Sequence, residues 1–461
     1  MQLINDLTAT FATLAWGPWL VILLIGGGLF FLIYSGFTPF KYLSHGISLI
    51  LGRHADPNAP GYISHGKALS AALAGTIGMG NVAGVALAIS IGGPGTIFWM
   101  WLTAVIGMAT KFFTCSLAVM YRGQDSAGHI QGGPMYVIRE ALPARYRFLA
   151  YWFAAFGIIA SLPALQANQL VQVFRDMVFI EHGWLTANSD PFVFNLLAGV
   201  VLAIITAGVV LGGLQRIAAV AGAAVPTMSL LYMGTALVAL ILHLDQVPAA
   251  FSLILTDAFT GEAAASGSLL TVIIYGVRRG AFSNEAGIGT ESMAHGAAKT
   301  NEPIREGLVA MMGPVIDTLL LCTTTALMIL VSGVWQTTDT AGVTLTAAAF
   351  SALLGPAGTV VVFVCVLFFA STTLFTYSFY GTQCTSFLFG AHRKHLYNRV
   401  HVAFVLVASV VSIEATINLI DGAFALMAIP TMVSALLLAP RVKTAAAIYF
   451  ARLNDQHTNS T

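Results

Sequence analysis

Two glycine-rich stretches inside long apolar segments carry the residues best suited to bind a small ligand. The first places Gly75, Gly78, Gly80 and Gly84 beside Asn81. Glycine costs about 1 kcal/mol relative to alanine in a helix interior, so this cluster predicts a helix that is interrupted within the membrane. An interrupted helix frees backbone amides, which suit a carboxylate, and backbone carbonyls, which suit a cation.

The second stretch, residues 275–289, mixes glycines with charged and polar side chains, namely Arg278, Arg279, Ser283, Asn284 and Glu285. One glycine-rich segment alone is equally well explained by close helix crossing. Two interrupted segments in corresponding halves of a chain indicate a transporter binding site.

Ionisable groups at membrane depth are functional or paired. For Glu285, an ion pair with Arg278, Arg279 or Lys111 is favoured over direct contact with a ligand. For Asp317, a place in a cation site and a hydrogen bond to a neighbouring helix break are equally consistent with the sequence. His295 is expected at the membrane edge.

The composition requires a membrane around these stretches. Hydrophobic residues make up 57% of the 461 residues and charged residues only 8%, with a mean hydropathy of +0.83. A soluble domain carries roughly 25% charged residues, so a soluble globular protein is excluded. No basic or acidic run points to a nucleic-acid partner.

Hydropathy divides the chain into eleven apolar segments, each long enough to cross a bilayer. They are residues 16–36, 69–91, 94–120, 147–168, 192–212, 217–243, 269–290, 307–333, 357–389, 400–417 and 420–439. Residues 1–16 contain Asp6 and no basic residue, so a permanent first helix is expected rather than a cleaved signal peptide.

Basic residues are distributed very unevenly between these segments. One set of alternate intervals holds sixteen of the twenty: Lys41, Arg53, Lys67, Arg122, Arg139, Arg145, Arg147, Arg216, Lys299, Arg305, Arg393, Lys394, Arg399, Arg441, Lys443 and Arg452. The other set holds only Arg175, with nine acids that include Asp339 and Asp421. Because positive loops stay in the cytoplasm, the N-terminus is predicted outside and the C-terminus inside.

The two interrupted segments lie five spans apart and cross in opposite directions under this topology. An inverted repeat of five plus five helices accounts for that. The predicted organisation is one transmembrane domain with an extra N-terminal helix at 16–36, a first repeat at 69–243 and a second at 269–439.

Two other classes of membrane protein fit the sequence poorly. A channel would show a repeated filter of carbonyls or charges. A membrane metalloprotease would show His-Glu-x-x-His, and an ATP-driven pump a P-loop; neither pattern occurs. The chain is therefore predicted not to be an enzyme.

Several motifs resemble those of the alanine or glycine:cation symporter family, from about residue 65 to 440. They are GTIGMGNVAGVA (75–86), GGPGTIFWMW (92–101), GMATKF (107–112), GGPMY (132–136), RGAFSNEAGIG (279–289), AHGAAKT (294–300), GLVAM (307–311) and IDT (316–318). The resemblance implies an all-α integral membrane protein with the five-plus-five inverted repeat of the neurotransmitter:sodium symporters. It also implies import of alanine or glycine with Na⁺, across a bacterial inner membrane. H⁺ coupling or a different small amino acid is the alternative.

The resemblance also implies positions for the ligands. The amino acid would contact Gly78, Met79, Gly80, Asn81, Gln166, Phe282, Ser283, Thr373 and Tyr377. Na⁺ would bind carbonyls near Ala74 and Ile77 and the hydroxyls of Thr372 and Thr373, since a hard cation takes several oxygen ligands. The sequence departs from the family at Met79, where a small hydroxyl residue is common, and at Tyr377, where Trp is usual. No other cofactor is expected.

Overall fold

The computed structural model describes residues 2–53, 56, 58–186, 190–262, 268–337, 340, 342–411 and 414–458. Asp339, one of the acids counted above, lies outside them. Within these ranges most residues are helical, and one antiparallel hairpin pairs Gly123–Gln124 with Ile130–Gln131.

One set of helices overlaps the predicted apolar segments or precedes the first of them. These helices are Gln2–Ala15, Pro18–Tyr34, His65–Thr76, Val85–Gly92, Thr96–Met120, Arg147–Ala160, Ala164–Phe174, Phe192–Val210, Gly213–Leu242, Leu269–Asn284, Pro303–Ala310, Thr323–Ser332, Pro356–Phe389, Lys394–Val410, Glu414–Leu426 and Ala428–Thr458. Wider π-helical turns occupy Gly80–Gly84, Arg175–Ile180 and Val315–Cys322. Helices that lie wholly or mostly between the predicted segments include Thr38–Lys41, Leu43–Ile50, Pro134–Ala141, Val247–Thr260, Thr290–His295 and Val343–Leu354.

Eight helices in the described ranges are long and apolar enough to cross a membrane, or nine when the bent pair His65–Thr76 and Gly80–Gly92 is taken as one span. The predicted count of eleven therefore stays a prediction. The predicted segment 400–417 begins earlier, at Lys394, and ends at Val410. Hydropathy places its start too late because the first turn of this helix is polar.

Helix Thr96–Met120 lies at the centre of the molecule, and most of its side chains are buried on all sides. It packs against Leu269–Asn284 and Pro303–Ala310. A helix that is apolar all round is expected in such a core position, which explains how the charged Lys111 comes to be only 1% exposed.

The N-terminal helix Pro18–Tyr34 packs against this core through small residues. A Cβ atom at Gly28 would lie 2.3 Å from Ile106 Cγ2, and one at Gly27 would lie 2.4 Å from Met432 Cε. Two adjacent glycines thus let the first helix approach two different helices closely.

Candidate functional site

The first helix break lies at residues 77–79. Helix His65–Thr76 ends at Ile77, whose ψ of 94° is extended, and the helix that follows is bent by 53° from it. The break occurs where the glycine cluster predicts it.

A side-chain hydrogen bond holds this break open. The Gly78 amide, which would bond the Ala74 carbonyl in a continuous helix, donates instead to Asn81 Oδ1 at 2.9 Å. The Ala74 carbonyl is thereby released from helix hydrogen bonding. A Cβ at Gly78 would lie 2.5 Å from Thr373 Oγ1, so a larger residue there requires the Thr373 side chain to move.

The second break lies at residues 285–289, between helices Leu269–Asn284 and Thr290–His295. Glu285 adopts a left-handed conformation with a φ of 55°, which is uncommon for a residue other than glycine. Asn284 Oδ1 accepts the amide of Ala286 at 3.0 Å. An asparagine thus caps each break.

Asp317 connects the two breaks from a third segment. Its Oδ1 accepts Asn81 Nδ2 at 2.6 Å, and its Oδ2 accepts the Ser283 hydroxyl at 2.7 Å. Thr318 Oγ1 also donates to Oδ2, at 2.8 Å. Of the two roles left open by the sequence, hydrogen bonding to the helix breaks is the one that these contacts describe.

A cavity of about 430 Å³ lies beside the first break and the helix that leads into the second. Its wall is mainly apolar, with Gln166, Gln169, Arg278, Arg279, Tyr377, Asn418 and Asp421 as its polar and charged members. The Nε atom of Arg279 is buried and finds no acceptor among the described residues.

The cavity gathers five of the nine residues predicted to contact the amino acid. Met79, Gly80, Gln166, Phe282 and Tyr377 line it. Gly78, Asn81, Ser283 and Thr373 do not, and they are bonded or packed behind the wall. The predicted contacts of these residues with a substrate stay predictions.

Of the residues predicted to bind a cation, Ala74 and Ile77 lie at or next to the first break, and Thr373 packs against Gly78 within it. Ala74 and Ile77 are fully buried, and Thr372 and Thr373 are each 2% exposed. The Thr373 hydroxyl donates to the Phe369 carbonyl at 2.9 Å, which leaves its oxygen lone pairs available to a cation.

Two of the three partners expected for Glu285, Arg278 and Arg279, form no ion pair with it among the described residues. Arg278 pairs instead with Asp421 at 2.5 Å, and Asp421 lies within helix Glu414–Leu426 rather than in a loop. Glu285 accepts hydrogen bonds from Thr290 and, at 3.2 Å, from Tyr377. It interacts electrostatically with the third expected partner, Lys111.

Comparison with known proteins shows the family. A sequence model described as the sodium:alanine symporter family matches residues 1–461. The chain is 40% identical to the sodium/alanine symporter AgcS of Methanococcus maripaludis over 443 residues, which cover 94% of both chains. It is 31% identical to the probable sodium/glutamine symporter GlnT of Bacillus subtilis, covering 97% of this chain and 91% of that one. The chain belongs to the sodium:alanine symporter family.

Its fold is similar to that of MhsT in complex with L-phenylalanine. The TM-score is 0.56 at 11% sequence identity, covering 84% of this chain and 99% of that chain. At this identity the likeness concerns the fold alone. The family member therefore has the predicted all-α membrane fold of the neurotransmitter:sodium symporter type.

Sequence reasoning missed a charged cluster at the other end of the broken helices. Glu306 is fully buried, and its carboxylate bonds both His65 and, at 2.6 Å, His295. His295 is 1% exposed and thus buried within the protein, and its expected position at the membrane edge stays a prediction. The cluster joins the first residue of one half-helix to the last residue of the other.

Arg122 reinforces the same end. Its guanidinium donates to the carbonyls of Pro60, Gly296, Ala298 and Thr300. Together with the His65–Glu306–His295 cluster it forms a clasp that holds the segments around residues 60–65 and 295–300 together. In the sequence, Arg122 could be recognised only as one of the sixteen basic residues assigned to the cytoplasmic side, and nothing indicated which carbonyls it would bind.

Proposed function

We propose that this chain is a secondary symporter that imports a small neutral amino acid, alanine or glycine, together with Na⁺ by alternating access. The observation that carries the proposal is the cavity of about 430 Å³ whose wall includes Met79 and Gly80 at the first break and Phe282 on the helix that leads into the second break. Broken helices beside a cavity are the binding arrangement of transporters built from inverted repeats.

Features of the cavity support an amino acid as the substrate. Met79 and Gly80 open the half-helix after the first break, where amide dipoles favour a carboxylate. Phe282 and Tyr377 add apolar surface for a small side chain. Gln166 contributes an amide that can bond either charged group of the amino acid.

The first break supplies the groups for the cation. The Ala74 carbonyl loses its helix partner because the Gly78 amide bonds Asn81. The Thr373 hydroxyl lies directly against Gly78. Na⁺ bound to such oxygens would replace the hydrogen bonds that the break removes.

In this proposal the repeats are residues 69–243 and 269–439, with residues 16–36 as the extra helix. The N-terminus is outside and the C-terminus is cytoplasmic, because the basic residues then lie inside. The clasp is placed at the cytoplasmic end, so it would have to open for release inside a bacterial cell, whose inner membrane is the proposed location.

The test is uptake of labelled alanine or glycine into proteoliposomes with and without an inward Na⁺ gradient. We expect uptake to accelerate with the gradient and to vanish when ionophores collapse it. Uptake indifferent to both Na⁺ and pH gradients would contradict coupling. Uptake driven by pH alone would favour the alternative, an H⁺-coupled transporter.

A different small amino acid is the second alternative, and the glutamine named for the relative in Bacillus subtilis gives it weight. A competition panel of L- and D-amino acids against Na⁺-driven alanine uptake decides between them. Strong competition by side chains larger than serine would remove the claim for alanine or glycine.

A further inference from the structure

Three buried carboxylates surround one buried lysine in the half of the molecule between the second break and the clasp. Glu285, Glu291 and Asp317 are each at most 1% exposed, as is Lys111. Each of the three acids interacts electrostatically with Lys111. One lysine balances one carboxylate, so two negative charges would remain if all three acids were ionised.

The three acids differ in how well the protein stabilises their charge. Asp317 accepts bonds from three side chains, and Glu285 accepts bonds from two. Glu291 accepts one side-chain bond, from Thr114 Oγ1 to Oε1 at 3.3 Å, while its own backbone amide also donates toward the carboxyl group. Its Oε2 is buried with no partner among the described residues.

Two further hydroxyl groups in the core are without partners. Tyr380 is fully buried, and its hydroxyl finds no partner among the residues that the structure describes. The same holds for Thr376 Oγ1. Both side chains flank Gly75 of the first half-helix, and Tyr380 interacts electrostatically with both Glu285 and Glu291.

Other titratable groups face the site from every neighbouring helix. Helix Thr96–Met120 presents Lys111 and Cys115, and the segment of Glu291 itself presents Glu285 and His295. Glu306 and His65 lie one contact further away, through His295. The imidazole of His295 bonds Glu306 through Nδ1 and also interacts electrostatically with Glu291, but it forms no ion pair with Glu291 among the described residues.

We propose that Glu291 is a proton-binding site, which carries a proton in this conformation and exchanges it during the transport cycle. A buried, poorly solvated carboxylate without a directly paired cation becomes neutral by binding a proton. With Na⁺ at the first break and a proton on Glu291, the two excess negative charges are balanced. The inference rests on the proposed function for that Na⁺ and for the cycle, whereas the protonation of Glu291 is measurable without transport.

Infrared spectra of the purified full-length protein in lipid test the protonation. We expect a carbonyl band of a protonated carboxyl group near neutral pH that shifts in D₂O. The band should disappear in Glu291→Gln and persist in Glu302→Gln, a control that removes an acid paired with Arg452 on the surface. Absence of the band in the wild type, or its persistence in Glu291→Gln, overturns the proposal.

Uptake measurements test the exchange. With voltage and pH gradients clamped, the initial rate of Na⁺-driven alanine uptake in the wild type should fall about tenfold per pH unit above the pH at which the band is lost. In Glu291→Gln the profile should be flat. If that variant does not fold, Glu291→Asp must retain an acid band and a pH-dependent rate. If the carboxyl band of the wild type persists at every pH and its uptake rate does not depend on pH, Glu291 does not exchange its proton during transport.

Failure of the proposed function gives a different result. A wild type that shows no Na⁺-driven uptake would contradict symport but would leave the infrared assignment of Glu291 intact.

Discussion

The two helix breaks share a capping scheme but differ in charge. In the first break, Asn81 accepts the Gly78 amide, and the residues from Thr76 to Gly80 are uncharged. In the second, Asn284 accepts the Ala286 amide, and Glu285 occupies the turn itself. The first break therefore offers neutral backbone groups, and the second offers side-chain charge.

This difference suggests a division of labour. Backbone carbonyls and amides are neutral groups that bind a cation and a zwitterion, so the protein places no charge of its own at the first break. Carboxylates at the second break respond to protons and to the single buried Lys111. The first break is thus suited to binding ligands, and the second is suited to binding or releasing protons as the charge around Lys111 changes.

The largest expected effect comes from Asp317, because it joins the two breaks. Asp317→Ala leaves Asn81 Nδ2 and the Ser283 hydroxyl without their carboxylate acceptor, and each buried unpaired group costs about 1–3 kcal/mol. We expect a large fall in the thermal unfolding midpoint and loss of uptake.

The control for this variant is Asp245→Ala, since Asp245 is exposed. Equal unfolding midpoints for Asp317→Ala and Asp245→Ala would show that the hydrogen bonds of Asp317 do not stabilise the two breaks.

Alanine substitutions show how strongly each break requires a glycine. Gly289 has a φ of 101°, and a Cβ there would lie 2.4 Å from Thr431 Oγ1 and 2.6 Å from Pro134 Cγ. Gly78 has only the contact with the end of Thr373 to relieve. We expect Gly289→Ala to destabilise the protein more than Gly78→Ala, with a backbone contribution of about 1–2 kcal/mol.

Gly208→Ala provides the matched control, because nothing lies within 4 Å of a Cβ at this helical position. Its unfolding midpoint should be equal to or slightly above that of the wild type, because alanine favours a helix interior over glycine. A Gly78→Ala variant less stable than Gly289→Ala would reverse the assignment of the more strained break.

Asn81→Ala tests whether the first break must be capped for transport. The substitution removes the acceptor of the Gly78 amide and a donor to Asp317. We expect uptake to be abolished while the protein remains folded and inserted, with a stability loss of about 2–3 kcal/mol. Near-normal uptake would place the site elsewhere.

The positions of the breaks were predictable because their cause is local. Glycines and asparagines close together in an apolar segment oppose a continuous helix wherever that helix packs. The first break, at residues 77–79, falls within the glycine cluster, and the second falls within 275–289. Family motifs added the expected ligands, which no pattern of spacing contains.

The connections between segments were not predictable from one sequence. Asn81 and Asp317 are 236 residues apart, and His65 and Glu306 are 241 apart. Whether two such side chains meet depends on the rotation and depth of each helix, and hydropathy fixes neither. For the same reason hydropathy could not show that Gly78, Asn81, Ser283 and Thr373 would be absent from the lining of the cavity, and their contacts with a substrate stay predictions.

Tyr377 lines the cavity and contacts Glu285 of the second break. Its substitution is expected to have a smaller effect. Tyr377→Phe removes the hydroxyl that donates to Glu285 and leaves the bond from Thr290. We expect a stability loss of about 1 kcal/mol and a reduced rate of uptake. Tyr397→Phe is the control, because Tyr397 donates over the same 3.2 Å to the Ile158 carbonyl away from the breaks. Equal rates in the two variants would remove Glu285 from the cycle.

The smallest effect is expected at Asp125, a buried acid outside the spans that has the direct lysine partner that Glu291 lacks. Burial by itself would raise the pKa of Asp125, but hydrogen bonds from Lys394 and from the amides of His129 and Ala127 outweigh it and lower that pKa to about 2. A depressed carboxyl pKa stabilises the folded state above the ordinary value near 3.9, and this contribution is lost only as the pH falls through about 2. Asp125→Asn should therefore leave the shape of the uptake profile between about pH 5 and about pH 9 unchanged. If Asp125→Asn flattens the pH profile of uptake, the pH dependence arises at Asp125 and not at the second break. The proposed difference between the two breaks would then be wrong.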